Sequence, residues 1–307
     1  MKNILGALAA LAVFLFCAQL PATAQTPDWR TLVDQAKNCY HDGEYKRGIE
    51  IARHALEIAE QTRGASHPDV AETLDILGWL YREESDEQRR LSEQVTGPLE
   101  VFPARRIQGY SAQAEKMFKR ALAIREKTLE TDHLDIAASL YSLGVLYLDQ
   151  GHYTHSHKGA GFYAKAKPFL RRAVSIRENK LDPDHPDLAS SLNGLANLYL
   201  AEGENAQAEP LYTRALAINE KMLGPDHPSV AMLLNNLALA KRDQGKYAEA
   251  EPLLARSLMI YENGPTPDHP DIGLTLTNMA ELYRRMGKDA EAKRLDHRAA
   301  AIRNKVR

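Results

Sequence analysis

The groups best suited to chemistry are five histidines in one recurring setting: His67, His133, His185, His227 and His269, four of them followed directly by proline. Asp132, Asp184, Asp226 and Asp268 precede the last four. An imidazole beside a carboxylate can hold a metal or pass a proton. The spacing argues for another role. Successive histidines lie 66, 52, 42 and 42 residues apart, one per repeat, and groups stepped along a repeating structure do not converge on one ion. An Asp or His just ahead of a helix-opening proline can accept hydrogen bonds from the free N–H groups of the first turn. Capping is therefore the expected role.

A second group crowds into one short stretch, His152-Tyr-Thr-His155-Ser-His157. Imidazoles this close could bind Zn, Cu or Ni, and a metal-responsive binding protein using this loop is one alternative function. No adjacent Cys or acidic cluster completes a shell, so no metal site is assigned. Gly-rich phosphate loops, a nucleophile elbow, Cys-x-x-Cys and His-Glu-x-x-His are all missing from the chain,. No catalytic residue and no cofactor are assigned, and the chain is read as a non-enzyme. An accessory subunit of an envelope enzyme complex is the other alternative, with Asp86 to Gly109 carrying its chemistry.

Net charge is −2 with 26% charged residues, a balance that does not point to nucleic acid or an anionic membrane. The first 24 residues stand apart: a short positive start, an apolar run from Ile4 to Ala18, Pro21, then Ala22-Thr23-Ala24. That is the layout of a signal peptide cut before Gln25. The expectation is an exported protein, periplasmic or secreted, with no membrane span after cleavage. Fifteen residues rise only ~22 Å, short of a bilayer core of ~30 Å. Cys17 follows Phe16, which argues against a lipoprotein. Cys39 is then the one mature cysteine, so no internal disulfide is expected.

What must position these residues is a repeat with a base period of 42. Leu192, Leu195, Ala196 and Tyr199 mark a first helix at i, i+3, i+4 and i+7, and Ala208, Tyr212 and Ala215 mark a second,. The same offsets give Leu74, Leu77, Gly78, Tyr81 with Ala114, Phe118, Ala121, and Leu140, Leu143, Gly144, Tyr147 with Ala166, Leu170, Ala173. Gly151, Gly203, Gly245 and Gly287 are expected to end first helices, and Pro186, Pro228 and Pro270 to open them. Cys39 and Lys241 depart from the tyrosine position, Gly48 from the second-helix alanine, and Asp296 from the aromatic one. A polar Asp296 suits a last helix that faces water.

This is the pattern L-x2-L-[GA]-x2-Y … A-x3-F-x2-A, and the motifs Gly-x-Tyr-x-Glu-Ala-Glu-Pro-Leu and Leu-Gly-Pro-Asp-His-Pro accompany it. The chain resembles tetratricopeptide repeat proteins, of the kinesin-light-chain type, over residues 28 to 305. The resemblance implies an all-α fold, a right-handed superhelical α-solenoid of about six helix pairs. It also implies that first helices line a concave groove that receives a protein or peptide partner. The phase of Tyr199 and its equivalents then sets the inward positions. They are Glu72, Asp75 and Trp79; Tyr141 and Val145; Asn193 and Asn197; Asn235 and Arg242; Thr277, Arg284 and Arg285; with Asn236 and Asn278 beside them. Amides can pair with a peptide backbone, and Trp79 and Tyr141 are candidate anchors. Charged stretches such as Arg125-Glu-Lys, Arg177-Glu-Asn-Lys and Asn219-Glu-Lys read as solvated faces.

Two longer spacings imply inserts at about 86–109 and 152–161, each between the two helices of one unit. Connections of that kind emerge along one edge of a helix-pair solenoid, so the inserts are expected to be neighbours there. Tyr110, Tyr153 and Arg105-Arg106 are the expected anchors of a second contact surface.

Overall fold

The computed structural model describes residues 28–94, 101–154, 158–264 and 270–305. The expected leader, His155, His157 and His269 lie outside them. Twelve helices and no strand occur among the described residues. They are α1 (Trp29–His41), α2 (Tyr45–Arg63), α3 (Pro68–Gln94), α4 (Val101–Thr128), α5 (Leu134–Tyr153) and α6 (Lys158–Lys180). The second half holds α7 (Pro186–Ala201), α8 (Asn205–Leu223), α9 (Pro228–Asp243), α10 (Tyr247–Glu262), α11 (Pro270–Arg285) and α12 (Asp289–Lys305). Odd and even helices pair into six units.

The unit α7–α8 shows why the repeat folds as it does. His185 precedes the helix, and its Nδ1 accepts from the Asp187 N–H at 3.1 Å. Pro186 follows in the first turn, where no N–H is needed,. His67, His133 and His227 accept from Asp69, Asp135 and Ser229 in the same way. These four histidines are therefore helix caps. At the far end Gly203 takes φ 77°. The Glu204 N–H returns to the Tyr199 carbonyl at 2.7 Å, the closure that a left-handed glycine permits. Gly43, Gly245 and Gly287 repeat this geometry.

Between those ends the small column Ala114, Ala166, Ala208, Ala250 and Ala292 is buried, and Phe118, Leu170, Tyr212 and Leu254 fill the space beside it. A Cβ on Gly78 would come within 2.5 Å of the Phe118 ring, so only glycine fits that crossing,. Gly48 is fixed likewise, between Leu80 and Cys39. The backbones of first helices of successive units approach one another closely, whereas those of second helices stay further apart. The stack therefore curves with its first helices inside.

Second helices are linked instead by long side chains. Arg120, Arg172, Arg214, Arg256 and Arg298 pair with Glu60, Glu126, Glu178, Glu220 and Glu262 of the preceding second helix. This corrects the expectation of solvated faces. Glu126, Glu178 and Glu220 are rungs of an inter-repeat ladder. Arg125 is buried between Asp75 and Ser139. Arg177 is buried on Ser191 at 2.7 Å and the Asp187 carbonyl at 2.9 Å, and Asn219 is buried too.

The inserts are absorbed into helix length. α3 has 27 residues, α4 28, α5 20 and α6 23, against 16 in each of α7, α9, α10 and α11. Gly151 consequently does not end a helix. It lies buried in the last turn of α5 with no left-handed backbone, where a Cβ would strike the Tyr163 ring of α6. It is a close-approach glycine, not a cap.

Candidate functional site

The inner face carries first-helix side chains. In α7, α9 and α11 asparagines recur at neighbouring inner offsets, Asn193 and Asn235 at one, Asn236 and Asn278 at the next and Asn197 a turn on from Asn193, and the amides join across units. Asn236 Nδ2 donates to Asn197 Oδ1 at 3.3 Å and to Asn193 Oδ1 at 3.5 Å. Asn278 Nδ2 donates to Asn235 Oδ1 at 2.9 Å, and Asn235 Nδ2 to Asn236 Oδ1 at 3.5 Å. The Tyr212 hydroxyl donates to Asn197 Oδ1 at 2.6 Å, which anchors the ladder in α8. A carboxamide offers two N–H donors and an acceptor oxygen with two lone pairs, so the ladder leaves capacity unused. All five are half-buried except Asn235, which is buried.

In α1 and α3 the face is apolar. Trp79 sits edge-on to Phe118, centroids 5.5 Å apart, with the Arg82 guanidinium 5.2 Å from its ring. Trp79, Ile76, Tyr40, Lys37 and His41 line a recess of about 340 Å³. Burial pushes the Tyr40 phenol up to about 12. Glu72 receives Lys37 at 2.9 Å on the rim. Asp75 instead faces the packing between units. One oxygen meets Arg125 while Oδ1 is buried with no hydrogen-bond partner in the described structure, and burial pushes this carboxyl up to about 6.

Tyr141 lies across Gly194, where a Cβ would stand 3.0 Å away, and the Arg177 guanidinium is 5.4 Å from its ring. It acts as much as a spacer between α5 and α7 as an anchor. Val145 is half-buried beside it. Arg82 bridges to Asp149 at 2.6 Å and to Glu83 at 2.6 Å. At the other end the cations are matched locally: Arg242 by Asp243 at 2.8 Å, Arg284 by Glu281 at 3.2 Å and by Asp296, and Arg285 by Glu281 at 3.1 Å. The Thr277 hydroxyl donates to the Gly273 carbonyl of its own helix.

The structure thus brings Asn193, Asn197, Asn235, Asn236 and Asn278 together and places Trp79 in a separate apolar recess. Lys37, Tyr40, Ile76 and the Arg82–Asp149 bridge were not singled out from sequence. The signal was available, since Tyr40 is Arg82 shifted by the 42-residue period. Among the described residues no three His, Cys, Asp or Glu side chains could hold a metal. His152 packs against Tyr163, centroids 5.8 Å apart, and burial lowers its pKa. No described helix is long and apolar enough to cross a membrane.

Comparison with known proteins places this geometry. The tetratricopeptide repeat family pattern matches residues 30–89, 104–158, 155–221, 188–263 and 229–305. Nephrocystin-3 of Xenopus laevis is 36% identical over 172 residues, 51% of this chain but 13% of that protein. Protein fem-1 homolog C of Bos taurus is 30% identical over 100 residues, 33% of this chain and 15% of its own. The chain therefore spans only a small part of these relatives. Among solved structures, a Podosopora anserina putative kinesin light chain with nearly identical TPR-like repeats is 26% identical. Its TM-score is 0.54, over 73% of this chain and 95% of that one. BtubC (BKLC) from P. vanneervenii shares the fold at TM-score 0.59 and 20% identity, over 88% and 92%. Six in-phase helix pairs, a family match running from residue 30 to 305 and kinesin-light-chain-like neighbours lead to one conclusion: this chain belongs to the tetratricopeptide repeat family.

Proposed function

We propose that this protein is a non-catalytic scaffold that holds an extended segment of a protein partner along its concave face. The observation that carries the reading is the asparagine ladder across α7, α9 and α11. Five carboxamides clustered along a curved inner face offer donors and acceptors to a backbone, whose own groups recur along an extended chain. The recess at Trp79 offers a place for an apolar side chain at the other end of the same face, and aromatic anchors dominate such contacts. Tetratricopeptide repeats generally bind protein partners, which agrees with this use.

A photo-crosslinking residue at Asn193 or Glu72, used in cells, tests it. Discrete crosslinked polypeptides are expected from these positions, fading when Asn236→Ala and Asn278→Ala are added. Equal crosslinking from Arg214 on the outer face would sink the reading.

We further propose export with cleavage before Gln25, supported by Ala22-Thr23-Ala24 after the apolar run,. Intact-mass measurement of protein recovered from cell envelopes checks it. The expected mass lacks Met1 to Ala24, and retention of that segment would overturn the proposal.

A further inference from the structure

The lengthened helices of units two and three border a recess of about 580 Å³ lined from α3, α4, α5 and α6. Its walls are built rather than incidental. Ser85 and Ser111 hydroxyls bond at 2.9 Å across α3 and α4. Arg89 is fixed by Asp86 and by the Ser111 hydroxyl at 3.3 Å, and its guanidinium lies 4.0 Å from the centre of the Tyr153 ring of α5. The two inserts are therefore neighbours, as their placement in the repeat requires.

The charges in the walls are already matched. Arg89 has Asp86, and Glu115 has Lys119 at 2.6 Å and the Tyr147 hydroxyl at 2.9 Å. What remains unfilled is neutral. The carboxamides of Gln108 on α4 and Gln150 on α5 both line the recess, and neither bonds to any described residue. Tyr153 in the same lining is 46% exposed, and Phe162 lines it too. Tyr110, by contrast, is packed on Tyr81, centroids 6.2 Å apart, so it is not an anchor here.

We propose that this recess binds a neutral carbohydrate, one or two sugar rings in size. A sugar ring presents a C–H face that packs on an aromatic ring, and hydroxyls at its edge that both donate to and accept from carboxamides. The recess supplies those two features and no free charge. An extended peptide would call for amides repeated along its length, as the ladder in the groove supplies, and two glutamines do not. The site is independent of the groove, and either proposal can fail alone.

Titration of the purified protein with maltose, cellobiose, lactose and N,N′-diacetylchitobiose, followed by NMR, tests it. At least one should bind saturably with Kd near or below ~1 mM. Gln108→Ala with Gln150→Ala, and Tyr153→Ala separately, should each weaken that binding about tenfold or more, a loss of ~1.4 kcal/mol. Tyr153→Phe should retain it, and Asn236→Ala in the groove should leave it unchanged. No saturable binding by any of the four at ~10 mM would overturn the proposal. So would binding that survives the glutamine and tyrosine variants. Capture from a random dodecapeptide library that depends on Gln108, Gln150 and Tyr153, without saccharide binding, would assign the recess to a peptide and overturn it equally.

Discussion

Lys241 shows how a single departure from the repeat is accommodated. Tyr81, Tyr147, Tyr199 and Tyr283 fill its position elsewhere, and each hydroxyl is met by the preceding second helix: Arg53 at 2.7 Å, Glu115 at 2.9 Å, Arg171 at 2.7 Å and Glu251 at 2.8 Å. Lysine reaches the same place with a charge, and Glu209 answers it at 2.7 Å, joined by Lys246 at 2.8 Å and Gln244 at 2.8 Å. The hydrogen bond from Lys241, then that from Lys246, holds the Glu209 carboxyl down to about 2. A depressed carboxylate contributes stability that is present above its unfolded value of ~4.5 and is lost as pH falls through about 2,. Glu209→Gln should therefore cost about 1 kcal/mol at neutral pH, discounted because Lys246 is partly solvated. Urea unfolding at pH 7 and pH 3 checks this. The gap between wild type and variant should shrink at the lower pH, and a gap that stays constant or widens counts against the assignment.

Among helices, the same ion-pair chemistry carries very different weight inside and outside. Arg125 is desolvated between Asp75 and Ser139 and joins α4 to both α3 and α5. Arg214 pairs with Glu178 on the outer face, where both side chains are about two-fifths exposed. Arg125→Ala leaves a buried carboxylate alone and should cost about 3–5 kcal/mol. Arg214→Ala should cost well under ~1 kcal/mol. Thermal melting of the two variants separates them, and similar shifts would mean that Arg125 is not the tie between these helices.

This contrast also marks what sequence could and could not disclose. Helix pairing, the glycine turns and the histidine caps were legible, because Leu, Ala, Tyr and Gly recur at fixed offsets whose physics is local. Gly151 misled, since its spacing fits a turn while its role is set by Tyr163 across the unit. The Arg–Glu ladder was hidden. Glu126 beside Arg125 reads as a solvated pattern, whereas its partner Arg172 lies 46 residues away. Arg120, Arg172, Arg214, Arg256 and Arg298 lie 52, 42, 42 and 42 residues apart, so the last three steps do follow the base period. The inner asparagines were singled out by helical phase, but their bonding to one another depends on how closely first helices approach.

At the scale of the whole molecule, the apolar core narrows at α9, where Leu216 and Leu253 bridge its two parts. A large cluster runs from Trp29 to α9, where it takes in Leu233, Leu237 and Ala240. A smaller one begins on the other side of α9 with Val230, Ala231, Leu234 and Ala238 and continues through α12. The last unit should be weaker than the inner units for two reasons. It has a neighbour on one side only among the described residues, and Asp296 stands where Phe118, Leu170, Tyr212 and Leu254 fill the other units. In a stack held by nearest neighbours, a defect spreads in proportion to the interfaces it touches. Ala292 and Ala208 occupy equivalent, buried positions, and tryptophan at either overpacks the crossing by ~1–3 kcal/mol or more. Ala292→Trp should therefore raise hydrogen exchange in α11 and α12 and leave α1 to α8 protected. Ala208→Trp, in the large cluster one helix before that junction, should raise it from α7 through α10. Hydrogen-exchange mass spectrometry resolves both patterns helix by helix. If Ala292→Trp instead raised exchange uniformly over all twelve helices, the array would open as a single cooperative unit, and α9 would be no boundary.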